Sequence, residues 1–280
     1  MFGYCLTGSI EEHVLFFNRS TGGNGKGTAL NTVTGILRDY ARVSPIDTFT
    51  ASHGDRHPTE SAMLHGARLV TSRETEEGRR WAESRIKALT GGDAVTARFM
   101  RADCFTFAPQ LKLVIAGNHR PSLRSVDEAM RRRFHLIPWD QQVSAATKDP
   151  QLPDKLRAEW PGILAWMIDG CQEWLEMGRH PPAVVQDATA EYLEAEDSFG
   201  AWMEECCARR PGQWASSAEL FESWRQWAER TGERAGNAKT FADAMKTRGF
   251  IPEKSGHART RGLAGIMLKP TSHPAAYLAS

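Results

Sequence analysis

The chain has almost no net charge: 35 lysines and arginines against 34 aspartates and glutamates leave a formal +1 over 280 residues. Global charge therefore selects no acidic partner, and a nucleic-acid signal has to be local. Long apolar runs are missing too. The longest, 14–17 and 113–116, are strand-sized beside the roughly 18 residues that a membrane helix needs, so no membrane partner is expected. The N-terminal stretch lacks a basic segment followed by an apolar one, which argues against a secretory leader. Cysteine is scarce and odd in number: five residues (5, 104, 171, 206, 207) with no CxxC spacing form no disulfide framework. They read as reduced, mostly buried thiols of an intracellular, cytoplasmic chain. The rest, 41% hydrophobic and 25% charged, is ordinary globular composition and excludes a disordered or fibrous chain.

The first half alternates short apolar runs with helical stretches. Segments 14–17, 68–72, 112–116 and 135–138 read as buried strands, and between them Leu30, Val33, Leu37 and Tyr40 recur at helical spacing, as do Trp81, Ile86 and Leu89. That order predicts an α/β layer around a largely parallel sheet. Residues 152–177 carry a helical apolar pattern that Pro161 is expected to break. Beyond residue 210, amphipathic helices are expected at 218–227 and 241–245, then hairpin strands at 250–251 and 266–268. A domain boundary is expected near 183–195.

The strongest chemical signal is residues 20–28, Ser-Thr-Gly-Gly-Asn-Gly-Lys-Gly-Thr, placed between an expected strand and an expected helix. A phosphate loop needs that context, because a helix N-terminus and successive backbone N–H groups then point at the anion. Gly22, Gly23, Asn24, Gly25, Lys26, Gly27 and Thr28 are the candidate nucleotide-binding residues, with Lys26 reaching the β- and γ-phosphates. Ser20 stands where G-x-x-x-x-G-K-[ST] begins with glycine, and Gly27 stands where it has a metal-binding hydroxyl. Thr28, one residue late, is the substitute candidate. The plain alternative is a glycine-rich turn with an exposed lysine.

Three further elements follow. The run 68–74 ends in Glu74, with Glu76 and Glu77 behind it; a carboxylate there suits a nucleotide hydrolase, and it equally suits the first turn of a helix. The run 113–118 ends in Asn118, either a γ-phosphate sensor or an ordinary turn asparagine. Arg131, Arg132 and Arg133 precede the last strand, as an arginine finger or as a charged helix end.

In this order, together with Leu-Thr-Gly-Gly-Asp at 89–93, Val-Ile-Ala-Gly-Asn-His-Arg-Pro at 114–121 and Arg-Arg-Phe-His-Leu-Ile-Pro at 132–138, the chain resembles a superfamily 3 helicase. More narrowly it is similar to the C-terminal helicase part of phage and plasmid primase-helicases, relatives of the poxvirus-type enzymes. The resemblance implies an AAA+-like P-loop NTPase core at 1–145, a helical extension at 146–190 and a small winged-helix-like C-terminal domain at 191–280. It implies ATP and Mg²⁺ as cofactors, Lys26 as the phosphate lysine, Glu74 with Glu76 as the acids, Thr28 and Glu74 at the metal, and Asn118 as sensor. Arg132 or Arg133 becomes the finger reaching a neighbour in a homo-hexamer. Single-stranded DNA is the implied partner, met by a hairpin with Lys87, Arg98 and Arg101.

From 231 to 269 eight basic residues face three acidic ones, so Lys239, Lys246, Arg248, Lys254, Arg259 and Arg261 are candidate DNA contacts; a solvated basic face explains the same count. Members of the family usually carry a helical collar, often also a primase domain, before the ATPase core. The chain is therefore expected to be a fragment or a shortened product, in a bacterial cell or a phage-infected host. A second reading is a truncated, non-catalytic DNA-binding remnant; a DNA-packaging motor is a third.

Overall fold

Alternation of side chains builds the first layer. In β1 (Leu15–Ser20) Leu15 and Phe17 enter one core and Phe16 the other, as the period-2 geometry of a strand requires. Strands β3 (Leu69–Arg73) and β6 (Lys112–Gly117) do the same, sending Val70, Leu113 and Ile115 one way and Leu69, Val114 and Ala116 the other. Both faces are covered, so these strands read as unbroken apolar runs.

In this computed structural model residues 1–51, 58–73, 79–123, 126–144, 146–233, 235–255 and 260–269 are described. The chain divides after Glu196 into two compact units. In the first, α1 (Lys26–Leu37) leads to β2 (Ala41–Val43), and the short α2 (Pro58–Ala62) to β3. Helix α3 (Glu83–Gly91) is followed by the hairpin β4 (Val95–Arg98) and β5 (Cys104–Phe107), then β6, α4 (Glu128–Arg131) and β7 (Phe134–Trp139). The five-stranded sheet runs β2-β3-β6-β1-β7, with every pair parallel. From β1 the chain crosses towards β2, and from β6 it crosses to β7 on the other side. The carboxyl ends of β1 and β6 therefore flank the point where the winding reverses, the place where open α/β sheets bind ligands.

Helices α5 (Leu152–Ala158), α6 (Trp160–Met177) and α7 (Ala183–Ala195) complete the unit. The expected break at Pro161 falls as a first-turn proline of α6, where a missing N–H costs nothing. Helix α7 packs Tyr192 and Leu193 into the core, and its Thr189 hydroxyl accepts the N–H of Leu136 at 2.9 Å, tying the edge strand β7. A boundary at 190/191 would cut this helix; burial of its last turns puts the break after Glu196 instead.

The second unit runs α8 (Ser198–Cys206), β8 (Cys207–Ser216), α9 (Ser217–Thr231), α10 (Ala238–Thr247), β9 (Pro252–Ser255) and β10 (Thr260–Leu268). Its antiparallel sheet is ordered β8-β10-β9, over a core of Trp202, Leu220, Trp224, Phe241, Met245 and Ile266. Both α9 and α10 start with a reciprocal capping box, Ser216 with Glu219 and Asn237 with Thr240. No helix among the described residues is long and apolar enough to cross a membrane.

Candidate functional site

The segment 20–28 joins β1 to α1 at that reversal point. Gly22, Gly23 and Gly25 have φ of +97°, +66° and +77°, the left-handed region that glycine enters without penalty. A Cβ at any of them, or at Gly27, would meet no atom within 4 Å. Their backbone path, not crowding, demands glycine, and the space above the loop is open. Ser20, at the place of the usual first glycine, is an anchor: its hydroxyl accepts the Gly22 N–H at 3.3 Å and donates to Asn118 Oδ1 at 3.4 Å.

Lys26 opens α1 and is 8% exposed. Its Nζ donates to the Gly117 carbonyl at the end of β6, 3.1 Å away, and among the described residues no carboxylate pairs with it. Burial pushes its pKa down, because a desolvated ammonium without a counter-ion is costly. A buried cation beside open, left-handed glycines is an arrangement that an incoming anion relieves. Thr28 lies half-buried in the first turn of α1. Glu74 and Glu76 lie outside the described residues, and those described hold no group of three acidic, histidine or cysteine side chains able to hold a metal.

Two features of this site were not read from the sequence. Arg73, at the end of β3, donates to the Gly27 carbonyl at 3.4 Å and to Asn31, so a second cation abuts the first turn of α1. The chain after β7 also returns over the loop: Asn24 donates to the Trp139 carbonyl at 2.7 Å, Gln142 to Thr21 at 3.0 Å, and Val143 N–H to the Gly23 carbonyl at 2.8 Å. Trp139 is itself held by buried Asn18, whose Oδ1 accepts the indole N–H at 2.8 Å.

The arginine triplet divides. Arg132 is exposed at the end of α4. Arg133 is only 5% exposed and donates to Thr90 Oγ1 at 3.2 Å and to the Ala129 carbonyl at 2.9 Å. Its guanidinium is engaged inside its own chain, whereas that of Arg132 lies at the surface.

The expected hairpin is β4–β5. Arg98 and Arg101 are exposed on it, Arg101 at φ +59° in the turn. Lys87 is not on the hairpin: it lies on α3 and pairs with Asp127, the N-cap of α4. Phe99, 48% exposed, and Met100, 73% exposed, form the tip. Phe99 stacks on Phe105 at 5.3 Å, Phe105 lies 6.0 Å from Phe107, and the His65 ring meets both of these edge-on. An aromatic ladder thus braces the tip from the core. Alternating Phe at 105 and 107, with Phe99, was the sequence signal available for it.

In the second unit Lys239 and Lys246 are exposed on α10. Lys254 and Arg261 are directly opposite on the β9–β10 hairpin, a like-charge pair that destabilises unless an anion sits there. Arg248 is not a surface contact, because it pairs with Asp197 at 2.5 Å, both side chains 17% exposed, and lies over the Phe199 ring. Arg259 is outside the described residues.

Comparison with known proteins bears on the fold and on distant kinship. A family described as "Family of unknown function (DUF5906)" matches residues 18–133, from β1 to the arginine triplet. The chain is 25% identical over 244 residues to "Putative helicase L207/L206" of Acanthamoeba polyphaga mimivirus, covering 80% of this chain and 25% of that one. It is 24% identical over 156 residues to "Putative helicase 121R" of Invertebrate iridescent virus 3, covering 54% and 17%. The chain is a distant relative of viral proteins named as helicases. It spans a quarter or less of the length of these two. Among solved structures, the apo NrS-1 C-terminal region (305–718) superposes with a TM-score of 0.54 at 10% identity, over 91% of this chain and 67% of that one. An A-form apo structure of the NrS-1 C-terminal region gives 0.50 at 12% identity, over 86% and 55%.

Proposed function

We propose that the chain is an ATP-hydrolysing helicase module of a phage or plasmid replication protein, of the superfamily 3 type, moving on single-stranded DNA. The observation that carries this reading is the glycine loop at the winding reversal, with buried Lys26 bonded, among the described residues, to a carbonyl and to no carboxylate. The order of the second unit, α8-β8-α9-α10-β9-β10, supports a winged helix whose wing is the Lys254–Arg261 hairpin.

Lys26 exchanges the Gly117 carbonyl for a phosphate oxygen, and the N–H groups of Gly23, Asn24, Gly25, Gly27 and Thr28 hold the remaining oxygens. When bound, Mg²⁺–ATP supplies the terminal phosphoanhydride bond that is broken and the metal's charge on the phosphate oxygens. Thr28 and Glu74 are the residues proposed to hold the metal, and Glu74, directly after Arg73, is the proposed base that takes a proton from water. Asn118, tied to Ser20 of the loop, senses the phosphate. Arg132 of a neighbouring copy in a homo-hexamer neutralises developing charge. Arg98 and Arg101 meet phosphates of the DNA strand while Phe99 offers a stacking face, the sequence-tolerant combination that single strands need.

The test is steady-state ATP hydrolysis with and without single-stranded DNA, for wild type, Lys26→Ala and Arg132→Ala, with mass measured on the same samples. Hydrolysis stimulated by DNA, from a ring-sized species, and lost in both variants is the expected result. A monomer that binds DNA and hydrolyses nothing overturns the reading in favour of a non-catalytic DNA-binding remnant.

A further inference from the structure

Helix α6 shows three faces when its successive residues are set about 100° apart. Ile163, Met167 and Trp174 pack into the cluster that also holds Leu30 and Val33 of α1. Beside them runs a line of Leu164, Ile168 and Leu175, with half-buried Cys171 completing it between the last two. This line is not covered: Leu164 is 36% exposed, Ile168 45% and Leu175 68%. Past Ala165 and Gln172 comes a third, acidic line of Asp169, Glu173 and Glu176, all exposed.

The apolar line is a helix seam. Steps of four, three and four residues keep its members on one stripe, about 16 Å and three turns long. Single exposed apolar residues need no partner, but a stripe continuous with a packed face marks a helix that lacks a second neighbour. Charge says which neighbour. From Glu159 to Gly178 the chain has no lysine or arginine, and the nearest basic groups in sequence are engaged. Lys155 pairs with Asp149, Arg157 lies over the Trp160 ring, and Arg179 pairs with Glu12. Glu173 shares a cavity with Met1 and His180, which leaves Asp169 and Glu176 to border the seam. Neither has an ion-pair partner among the described residues. A second copy of α6 on this seam would bring like charges to its rim.

We infer that the seam seats an amphipathic helix of a partner chain, apolar at the same spacing and carrying lysine or arginine on the flank that meets Asp169 and Glu176. The core occupies the Met167 side of the seam, so the partner lies towards Ala165 and Gln172, neither of which is charged. That position brings its flank over the two carboxylates. Apolar burial supplies affinity, and opposite charge sets partner and orientation. The inference is independent of the nucleotide reading, because none of these residues belongs to the loop, the sensor or the hairpin.

Fluorescence anisotropy with a labelled synthetic helix tests it. The peptide has the 18-residue length of α6, leucine along one seam and lysine on both flanks; its twin carries glutamate in place of lysine. Both are titrated with the full chain as wild type, Ile168→Ser/Leu175→Ser and Asp169→Lys/Glu176→Lys. All four positions are exposed; circular dichroism confirms each fold, and sedimentation gives the mass of the chain alone. The expected result is saturable binding of the lysine peptide, about tenfold or more weaker for its glutamate twin. The serine variant keeps every charge and should bind the lysine peptide about tenfold or more weaker. The lysine variant should erase or reverse the preference between the peptides. No saturable binding by wild type, equal binding of both peptides, or undiminished binding by the serine variant overturns the inference. A preference that survives in the lysine variant does so too. Self-association of wild type that the serine variant abolishes also overturns it, because a second copy then fills the seam.

Discussion

Two glycines of the loop between β1 and α1 separate backbone demand from open space. Gly25 and Gly27 both have nothing within 4 Å of a built Cβ, so neither Gly25→Ala nor Gly27→Ala creates a clash. Their conformations differ. Gly25 sits at φ +77° as the N-cap of α1, whereas Gly27 is within the helix. An alanine at position 25 carries the left-handed penalty of about 1–2 kcal/mol. At position 27 it removes backbone freedom from the unfolded chain and gains about 0.4–1 kcal/mol. For a unit of this size 1 kcal/mol moves the melting temperature by about 2–4 °C. Gly25→Ala should therefore melt about 2–8 °C lower and Gly27→Ala about 1–4 °C higher, read by far-UV circular dichroism on the transition of the first unit. A lowered melting temperature for Gly27→Ala would show that some group fills the space over the first turn of α1. A neutral Gly25→Ala would refute the left-handed backbone itself. Either result removes the cradle on which the nucleotide reading depends.

Two other outcomes follow from charge. His135 has a folded pKa of about 4 against about 6.5 unfolded, so the unfolded chain binds a proton that the folded one refuses. Stability then falls as pH drops from about 6.5 towards 4, by at most about 3 kcal/mol, with burial the main cause and Arg179 and the N-terminal ammonium the charges acting on the ring; urea midpoints at pH 7 and 4.5 should differ less in His135→Phe. Lys254→Glu replaces the like-charge pair with Arg261 by an opposite-charge one, and should stabilise the hairpin by about 0.2–1 kcal/mol. The same change should weaken the proposed DNA binding and lower its salt slope by about one; unchanged affinity across a salt series would take this hairpin out of the proposed DNA interface.

How much of this was legible depended on range. Strands β1, β3, β6 and β7 announce themselves, because burial on both faces leaves unbroken runs such as Leu113–Ala116. β2 is three residues long, too short for any period. β8 hides behind Arg209, Arg210, Pro211 and Gly212, yet it pairs with β10 through a register shift that absorbs them. The glycine loop was legible because its constraint is local: three left-handed positions need three glycines. The strap over it was not, since Asn24 meets Trp139 across more than a hundred residues and an ordinary polar segment carries no mark of such a partner.

The arginines show the same limit at closer quarters. Three in a row at 131–133 announce a charged junction, but successive residues on a helical turn point about 100° apart, so at most one or two can share a face. Which one turns inward is decided by Thr90 and the Ala129 carbonyl, which together take the Arg133 guanidinium. The hydrogen-bonded chain of Trp174, Glu12, Arg179 and His135 extends the point: its bonded partners are 44 to 167 residues apart, and each alone reads as an ordinary surface charge or core ring. Their chemistry exists only after the α6–α7 connection lays Arg179 against β7. Residue type and period reveal what a segment can offer; the fold determines which offers are already taken. Among the described residues, Lys26, buried on one carbonyl with no carboxylate beside it, is therefore where a ligand is to be sought.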